Sequence, residues 1–330
     1  MKIGFNMPQL TDFANRRAVH EFAVRADELG YDSLWVQDHF LYPEQPVQSH
    51  PIDQFIHGPQ PIRQWPQAYE SLLAPLEALA YVAGITRRIR LGTSVLVFGY
   101  HRPATLAKQV ATIDLLSEGR FDLGLGIGWS REEYAHQDSP FERLGARCDD
   151  FIRALRAAWQ ANPTGYDGEF YSIPHGSCSP KPVQRDEHGN PAVPILGGFL
   201  SEPGLRRTAE LCDAWHPAGH TVEMAVSRLQ QINRMAKERF RRGPLTLVHR
   251  VFAAPALPGI EKIGEQVMQP NWIGTPDDML PQLKECKEAG IDEVVIDTSF
   301  FGEMRGPDDW VAHPDFFKPL LDEAHAETKG

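Results

Sequence analysis

The feature that most constrains the fold is the stretch 90–129, whose pattern predicts a strand, a helix and a second strand in succession. Residues 89–97 are rich in β-branched side chains and carry no charge after Arg90, which is typical of a parallel strand buried on both faces. We expect the helix to begin at Pro103, because the first helical turn has no use for the missing N–H. The second strand is predicted over 121–127. One face of the helix carries apolar residues at helical spacing: Leu106, Val110, Ile113 and Leu116.

The same alternation of strand and helix continues along the whole chain. Eight strands are predicted, at 2–6, 31–36, 89–97, 121–127, 194–196, 214–216, 245–252 and 292–296. This alternation indicates an α/β fold with a parallel sheet, and eight repeats fit a (β/α)8 TIM barrel of about 250 residues plus insertions. A doubly wound open sheet is the alternative, but no GxGxxG motif follows the first strand. Residues 254–274 are rich in Pro and Gly and are predicted to be a linker.

Two long segments interrupt the barrel pattern within what is otherwise predicted to be a single domain over 1–330. The segment 40–71, after the second strand, is rich in Pro, Gln and His, and loops of this length are often functional. The segment 162–193, between the fourth helix and the fifth strand, contains the hairpin signal Asp167-Gly168. We expect both insertions to shape a substrate pocket, because such barrels diversify through their loops.

Composition and charge narrow the class of protein. A formal net charge of −11 argues against general binding to nucleic acid or to anionic membranes. The four cysteines are scattered without metal-ligand spacing, so neither a metal site nor a disulfide framework is predicted. The N-terminus shows no signal peptide and no apolar run reaches the roughly 18 residues of a membrane span, so we expect a cytoplasmic protein.

Reacting groups of a (β/α)8 barrel lie at the carboxyl ends of its strands. Asp38-His39 follows the second strand, and His39 is the best acid–base candidate because imidazole titrates near neutrality. A loop histidine with a hydrogen-bonded neighbour is the plainer alternative. Other strand ends supply weaker candidates for a substrate pocket: Met7, Gln9, Trp215 and His216. A flat aromatic cofactor would suit such a site, and the glycines that end the fourth strand would give its ring clearance: Gly124, Gly126 and Gly128.

Gly197-Gly198, at the end of the fifth strand, is a candidate phosphate cradle. A helix is predicted to begin shortly after Ser201, and free backbone N–H groups at a helix start bind anions. Arg206 and Arg207 would add positive charge. A glycine turn needed only for chain reversal is the alternative.

Longer motifs then stand in order along the chain. They are GYDSLWVQDHFLYP at 30–43, RLGTSVLVFGYHRPATLAKQVATIDLLSEGRFDLGLGIGWSREEY at 90–134, GEFY at 168–171, and PILGG at 194–198 followed by LRRTAELCDAWHPAG at 205–219. Together they resemble the luciferase-like flavin and deazaflavin oxidoreductases, specifically the subgroup predicted to use coenzyme F-420. The motifs are spread over residues 30–219, which is more than half of the chain. The resemblance implies the same (β/α)8 barrel, and family members are commonly homodimers.

The resemblance also implies roles for residues beside the cofactor ring. Asp38-His39 matches the family's Asp-His pair, with His39 as proton donor or acceptor and Asp38 orienting it. Ser94-Val95 matches the place where members have a non-prolyl cis peptide bond that bulges against the ring.

Two turns match positions that hold the cofactor in the family. Gly197-Gly198 matches the phosphate-binding loop, and Gly128-Trp129-Ser130 matches a second cofactor contact. From the residues alone, the second turn starts a short helix that binds an anion or forms only a hydrophobic staple. Trp129 stands where the deazaflavin-dependent glucose-6-phosphate dehydrogenases have an active-site Glu. A sugar phosphate is therefore not expected as the substrate.

The leading activity that the resemblance implies is hydride transfer between F-420 and a small organic substrate, with His39 handling the coupled proton. The alternative is an FMN-dependent monooxygenase that uses O2 and reduced flavin from a partner flavin reductase. A barrel that only binds a ligand is a third possibility, which the Asp-His pair and the open glycine loops disfavour.

Overall fold

The computed structural model describes residues 1–49, 51, 62–256, 271–300 and 305–327. Its strands are β1 (Lys2–Asn6), β2 (Ser33–Val36), β3 (Arg90–Thr93), β4 (Leu96–Val97), β5 (Phe121–Gly126), β6 (Thr164–Asp167), β7 (Ser172–Gly176), β8 (Ile195–Gly197), β9 (Ala214–Trp215), β10 (Thr246–Pro255), β11 (Asn271–Gly274) and β12 (Glu293–Asp297). Its α-helices are α1 (Arg16–Leu29), α2 (Pro75–Ile85), α3 (Pro103–Leu116), α4 (Arg131–His136), α5 (Leu144–Trp159), α6 (Glu202–Leu211), α7 (Val222–Met235), α8 (Pro276–Glu288), α9 (Pro307–Phe316) and α10 (Lys318–His325).

Parallel strands close into a barrel in the order β1, β2, β3, β5, β8, β9, β10 and β12. Phe5 of β1 pairs with Leu34 on one side and Ile296 on the other, so the first and last barrel strands are joined. The (β/α)8 barrel predicted from the sequence is therefore confirmed, and the open doubly wound sheet is excluded. The predicted third strand is divided in two by a bend at Ser94-Val95, after which β4 pairs with β5.

The linker predicted over 254–274 is wrong at both ends. The long strand β10 continues to Pro255, and Asn271–Gly274 forms β11. Strand β11 pairs with the last four residues of β10, from Phe252 to Pro255. The neighbouring strand β9 ends at Trp215, so β11 supplies hydrogen-bond partners for a part of β10 that β9 does not reach. The remainder of the predicted linker, 257–270, lies outside the described residues.

The insertion 162–193 contains the predicted hairpin, formed by β6 and β7. The hairpin is fastened to α5 by the carboxylate of Asp150, whose Oδ2 accepts from Phe170 N at 2.7 Å and from Tyr171 N at 3.0 Å. Of the insertion 40–71, residues 50 and 52–61 lie outside the described part of the chain.

Helix α3 forms as predicted from Pro103, but its apolar stripe ends earlier than expected. Leu106, Val110 and Ile113 are buried against the barrel, whereas Leu116 is 59% exposed at the last turn. Across the described ranges, no helix is both long and apolar enough to cross a membrane.

Side chains inside the barrel form layers, because strand residues point alternately to the interior and to the helices. Near the amino ends of the strands, Arg90 pairs with Asp122. The middle layer is apolar and comprises Trp35, Leu196, Ala214, Val248 and Val295. The layer at the carboxyl ends is polar again and comprises Ser94, His216, Arg250 and Asp297. This polar layer forms the floor of the candidate site.

Candidate active site

His39 lies just past the end of β2, with its side chain only 10% exposed. Its Nδ1 atom lies 2.7 Å from Oε2 of Glu133, which is completely buried in the first turn of α4. The expected partner, Asp38, points elsewhere. Its Oδ2 accepts from Val97 N at 2.9 Å and lies 3.0 Å from Nε2 of His101.

The prediction that Asp38 orients His39 is therefore wrong, and Glu133 has that position. Consecutive residues of an extended chain point to opposite sides, so Asp38 faces β4 while His39 faces α4. Asp38 instead ties the end of β2 to β4.

Glu133 collects hydrogen bonds from the whole segment around His39. Its Oε1 accepts from Phe40 N at 2.7 Å and Leu41 N at 3.2 Å, and its Oε2 accepts from the Tyr100 hydroxyl at 2.7 Å. Burial and the neighbouring Glu133 carboxylate raise the pKa of Tyr100, so the phenol keeps its proton and donates.

The sequence carried one signal for Glu133, because Ser130 and Glu133 have the spacing of a helix capping box. Half of that box is present, since Glu133 N donates to Ser130 Oγ at 3.1 Å. The Glu133 side chain does not complete the box but turns to the loop after β2. Ser130 is fully buried as the N-cap of α4.

Aromatic rings surround the imidazole of His39. Ring centroids of Tyr69, Trp129 and Trp65 lie 4.8, 5.5 and 6.0 Å from that of His39. Trp65 and Trp129 also contact each other, with centroids 4.5 Å apart. Tyr69 and Trp65 come from the insertion 40–71, so described parts of that insertion help to enclose His39. The walls of the site are flat and apolar, with one titratable group between them.

The peptide bond between Ser94 and Val95 is cis, as the resemblance implied. Ser94 N donates to Val36 O at 2.6 Å, and Arg250 Nη1 donates to Ser94 O at 2.6 Å. Arg250 also pairs with Asp297, donating from Nε to Oδ2 at 3.0 Å. The bend is thereby joined to β2, β10 and β12 at once.

The glycines near this bend accommodate Val95. A Cβ atom added at Gly126 would lie 2.4 Å from Val95 Cγ2, and one added at Gly198 would lie 2.7 Å from Val95 Cγ1. At Gly124 the added atom would meet Thr93 O at 1.8 Å. The expectation that the strand-four glycines give clearance to a ring is therefore wrong, because protein atoms occupy the space beside Gly124, Gly126 and Gly128 alike.

His216, predicted for the substrate pocket, is buried beneath Ser94. Its Nδ1 lies 2.7 Å from Val248 O, which only accepts, so Nδ1 carries the proton. Burial lowers the pKa of His216 to about 3, so the ring is neutral and Nε2 accepts from the Ser94 hydroxyl at 2.7 Å. The imidazole stacks on Trp35 with centroids 4.9 Å apart. His216 is thus placed to support the bend at Ser94.

The other three predicted pocket residues are also packed into the protein. Met7 and Trp215 have no exposed surface, and the Trp215 indole donates to Phe199 O at 2.9 Å. The side chain of Gln9 is 1% exposed and donates to Gln37 O and Leu73 O, each at 2.7 Å.

The candidate phosphate cradle has fewer free groups than expected. The Gly198 amide donates to Leu125 O at 2.8 Å within the barrel, and Ser201 Oγ caps α6 by accepting from Gly204 N. Arg207 is buried, pairs with Asp149 and donates to Gly145 O at 2.8 Å. Arg206 remains 62% exposed. Any anion held here would therefore depend on the turn after Gly198 and on Arg206.

The turn Gly128-Trp129-Ser130 lies beside His39. Gly128 has a positive φ of 72°, and an added Cβ would meet Val97 at 2.4 Å. Both the backbone conformation and the lack of space therefore require glycine here. Trp129 presents its ring to His39. Within the described ranges, no three potential metal ligands lie together.

The barrel has a histidine and aromatic walls at the carboxyl ends of its strands, and the model of the luciferase-like monooxygenase family matches residues 4–258. The chain belongs to this family, and it is an oxidoreductase or monooxygenase enzyme.

Two relatives are similar to the chain in sequence. An uncharacterised protein of Mycobacterium tuberculosis is 31% identical over 210 residues, covering 63% of this chain and 70% of its own. The F420-dependent glucose-6-phosphate dehydrogenase of Amycolatopsis mediterranei is 26% identical over 337 residues, covering 90% and 92%.

Among solved structures, an F420-dependent secondary alcohol dehydrogenase in complex with an F420–acetone adduct has a TM-score of 0.71 at 14% identity, covering 98% of this chain and 99% of its own. A monooxygenase from Streptomyces bottropensis has a TM-score of 0.73 at 18% identity, covering 99% and 100%. At these identities the structures show a shared fold.

Proposed function

We propose that this enzyme transfers a hydride between coenzyme F-420 and a small organic substrate, with His39 as the proton donor or acceptor. The observation that carries the proposal is the pair of His39 and buried Glu133 within aromatic walls at the barrel mouth. A relative that covers most of the chain is F420-dependent, and so is a structural neighbour.

The residues present fit a flat, neutral ring system. Trp65, Tyr69 and Trp129 offer apolar faces, and Val95 is partly exposed at the mouth on the bend after β3. The proposed cofactor-binding residues are Ser94, Val95, Gly128, Trp129, Ser130, Gly197 and Gly198. When bound, F-420 would supply the hydride chemistry, and the protein would supply position and electrostatics.

In this proposal the chain's own groups manage the proton. Glu133 accepts the Nδ1–H of His39, which leaves Nε2 as the atom that takes or returns the proton coupled to hydride transfer. Burial of Glu133 and the surrounding rings keep water from competing for that proton.

The test is to titrate the purified protein with F-420 and with FMN, each oxidised and reduced, while following the absorbance spectrum and oxygen uptake. Tight binding of F-420 and oxygen-independent turnover are expected. Binding of FMN alone, with oxygen consumed in proportion to product, would contradict the proposal.

The second candidate function is an FMN-dependent monooxygenase supplied with reduced flavin by a partner reductase. Binding of FMN alone, with consumption of oxygen, would indicate this function. The family model and the Streptomyces bottropensis neighbour favour this alternative. Oxygen dependence separates the two functions, because reduced flavin reacts readily with O2 and reduced deazaflavin does so poorly.

Substrate and assembly complete the proposal. We do not expect glucose 6-phosphate as substrate, because Trp129 stands where the related dehydrogenases have their active-site Glu. We propose a cytoplasmic homodimer, which a mass measurement in solution would test.

A further inference from the structure

Four hydrogen-bonding groups at the carboxyl ends of the barrel strands are buried without a partner among the described residues. They are both polar atoms of the Asn6 amide, Nε2 of Gln37 and the hydroxyl of Ser299. These residues are 2%, 4% and 5% exposed, respectively. Burying a hydrogen-bonding group without a partner is costly, and native proteins rarely retain several such groups together. Such a cluster points to a ligand that completes it.

The three residues lie at or just after the carboxyl ends of three adjacent strands. Asn6 is the last residue of β1, Gln37 directly follows β2, and Ser299 follows β12 by two residues. Strand β1 pairs with β2 on one side and β12 on the other, and all three are parallel. Their carboxyl ends therefore lie side by side, at the same barrel mouth as His39.

Charged and polar neighbours of this cluster already have partners. Asp297 accepts from Arg250 and from Ser299 N at 2.9 Å. The Oε1 atom of Gln37 accepts from the Tyr69 hydroxyl at 3.3 Å. What remains open is neutral: amide N–H groups, one hydroxyl and the Asn6 carbonyl. A buried set of this kind favours an uncharged ligand group, since burying an unpaired ion costs far more than burying a dipole.

We propose that Asn6, Gln37 and Ser299 form a binding pocket for a neutral group that both accepts and donates hydrogen bonds. The inference rests on the proposed function and narrows its substrate class to alcohols, their carbonyl products, or carboxamides. The pyrimidine edge of a deazaflavin or flavin offers the same chemistry, so the ligand group comes either from the substrate or from the cofactor. Charged substrate groups are disfavoured in either case.

The test follows the side-chain amide signals of Asn6 and Gln37 by ¹⁵N NMR in the full chain, with signals assigned by their loss in Asn6→Leu and Gln37→Leu. The probes are F-420 and FMN, then 2-propanol, acetone, acetamide and acetate added to each cofactor complex. The Gln9 amide is the internal control, because the protein backbone already occupies both its donor and acceptor sides.

Movement of the Asn6 signal with a cofactor alone would identify the cofactor edge as the ligand group. Movement only after 2-propanol, acetone or acetamide is added would identify the substrate. An Asn6 signal that stays fixed with every probe, or that responds equally to acetate, overturns the proposal.

A stability measurement separates binding from structure. Asn6→Leu is expected to raise the Tm of the free protein, because it removes two unsatisfied polar atoms, and to weaken binding of the responsive probe at least tenfold. Unchanged probe binding in this variant would show that the amide is structural and would overturn the inference. The proposed function could also fail while the pocket is real. In that case the organic probes would move the Asn6 signal, but no F-420-linked turnover would be measured.

Discussion

At the scale of single residues, Glu133 governs the chemistry open to His39. A carboxylate only accepts hydrogen bonds, so Nδ1 of His39 carries a proton and Nε2 is the nitrogen left to exchange one. The same carboxylate accepts from Phe40 N at 2.7 Å and from the Tyr100 hydroxyl. One buried group therefore sets the tautomer of the imidazole and the path of the chain that follows it.

Replacing this carboxylate by an amide should change the tautomer. In Glu133→Gln the amide oxygen can stay on the N–H of Phe40, which leaves the NH2 group facing His39. Nδ1 must then accept, and the proton moves to Nε2. We expect a 10²- to 10⁴-fold fall in kcat, the order seen when a general base is held in the wrong tautomer. Imidazole ¹⁵N shifts measure the tautomer independently of turnover.

Glu132→Gln on the same helix is the matched control, since Glu132 accepts from Val47 N and does not contact His39. Its kcat and its His39 ¹⁵N shifts should remain those of the wild type. An unchanged tautomer in Glu133→Gln would show that Glu133 does not orient His39.

His39→Ala should abolish turnover and leave cofactor binding largely intact, because in the proposed function the ring handles the proton, and its aromatic neighbours remain. A cofactor titration followed by a rate measurement on the same sample tests both parts. His136→Ala, at the last turn of α4, is the control for loss of an imidazole nearby. Normal turnover in His39→Ala would remove the acid–base role from this residue.

At the scale of elements, the bend between β3 and β4 and the turn after β5 form one packed unit. Val95 fills the space above Gly126 and Gly198, and Arg250 holds the carbonyl of Ser94 from β10. Small residues at the ends of β5 and β8 are thus explained by the Val95 side chain, which comes from the bend between β3 and β4.

Gly126→Ala should disturb this unit, because its Cβ would lie 2.4 Å from Val95 Cγ2. We expect a loss of about 1–3 kcal/mol in the free energy of unfolding, as for overpacking of a core, and weaker cofactor binding. Urea denaturation measures the first effect. Gly84→Ala in α2 is the control, since its Cβ meets nothing within 4 Å, and it should match the wild type or gain up to about 1 kcal/mol. Wild-type stability in Gly126→Ala would contradict the packing.

At the scale of the whole molecule, the barrel interior has polar layers at both ends and an apolar layer between them. Glu293 lies near the amino ends of the strands, is 6% exposed, and accepts a hydrogen bond from Ser33. Burial raises the pKa of Glu293 to about 7 from 4.5. Between these values the folded protein binds more protons than the unfolded chain, so its stability falls as pH rises from 4.5 to 7.

Glu293→Gln should remove this pH dependence, since an amide does not titrate. The free energy of unfolding of the variant minus that of the wild type should increase by about 3 kcal/mol from pH 4.5 to pH 8. The increase follows from the shift of the Glu293 pKa in the wild type. Urea midpoints across that range measure the gain. Glu288→Gln, on the surface at the end of α8, should show the wild-type profile. A pH-independent difference for Glu293→Gln would show that Glu293 does not titrate on unfolding.

The architecture of the barrel could be predicted from local patterns in the sequence. Strand and helix periodicity, Pro at helix starts and Gly at their ends act over a few residues, so the alternation, the closure of eight strands and the position of His39 past β2 could all be predicted. The resemblance to the family also implied the cis bond between Ser94 and Val95. The strand β11 was not predictable, because its four residues are defined by the free edge of β10 and not by a pattern of their own.

The partner of His39 lies 94 positions away, and no local rule connects the two residues. The neighbouring Asp38 looked like the natural partner, but chain direction at the end of β2 turns the two side chains apart. Local rules also could not predict the contact of Val95 with Gly126 and Gly198, or the unpaired amide of Asn6 at the barrel mouth. The sequence alone therefore determined the order of the eight barrel strands and the position of His39 at the end of β2. Only the tertiary structure decided which carboxylate meets the histidine, because such contacts depend on how distant strands close around a common interior.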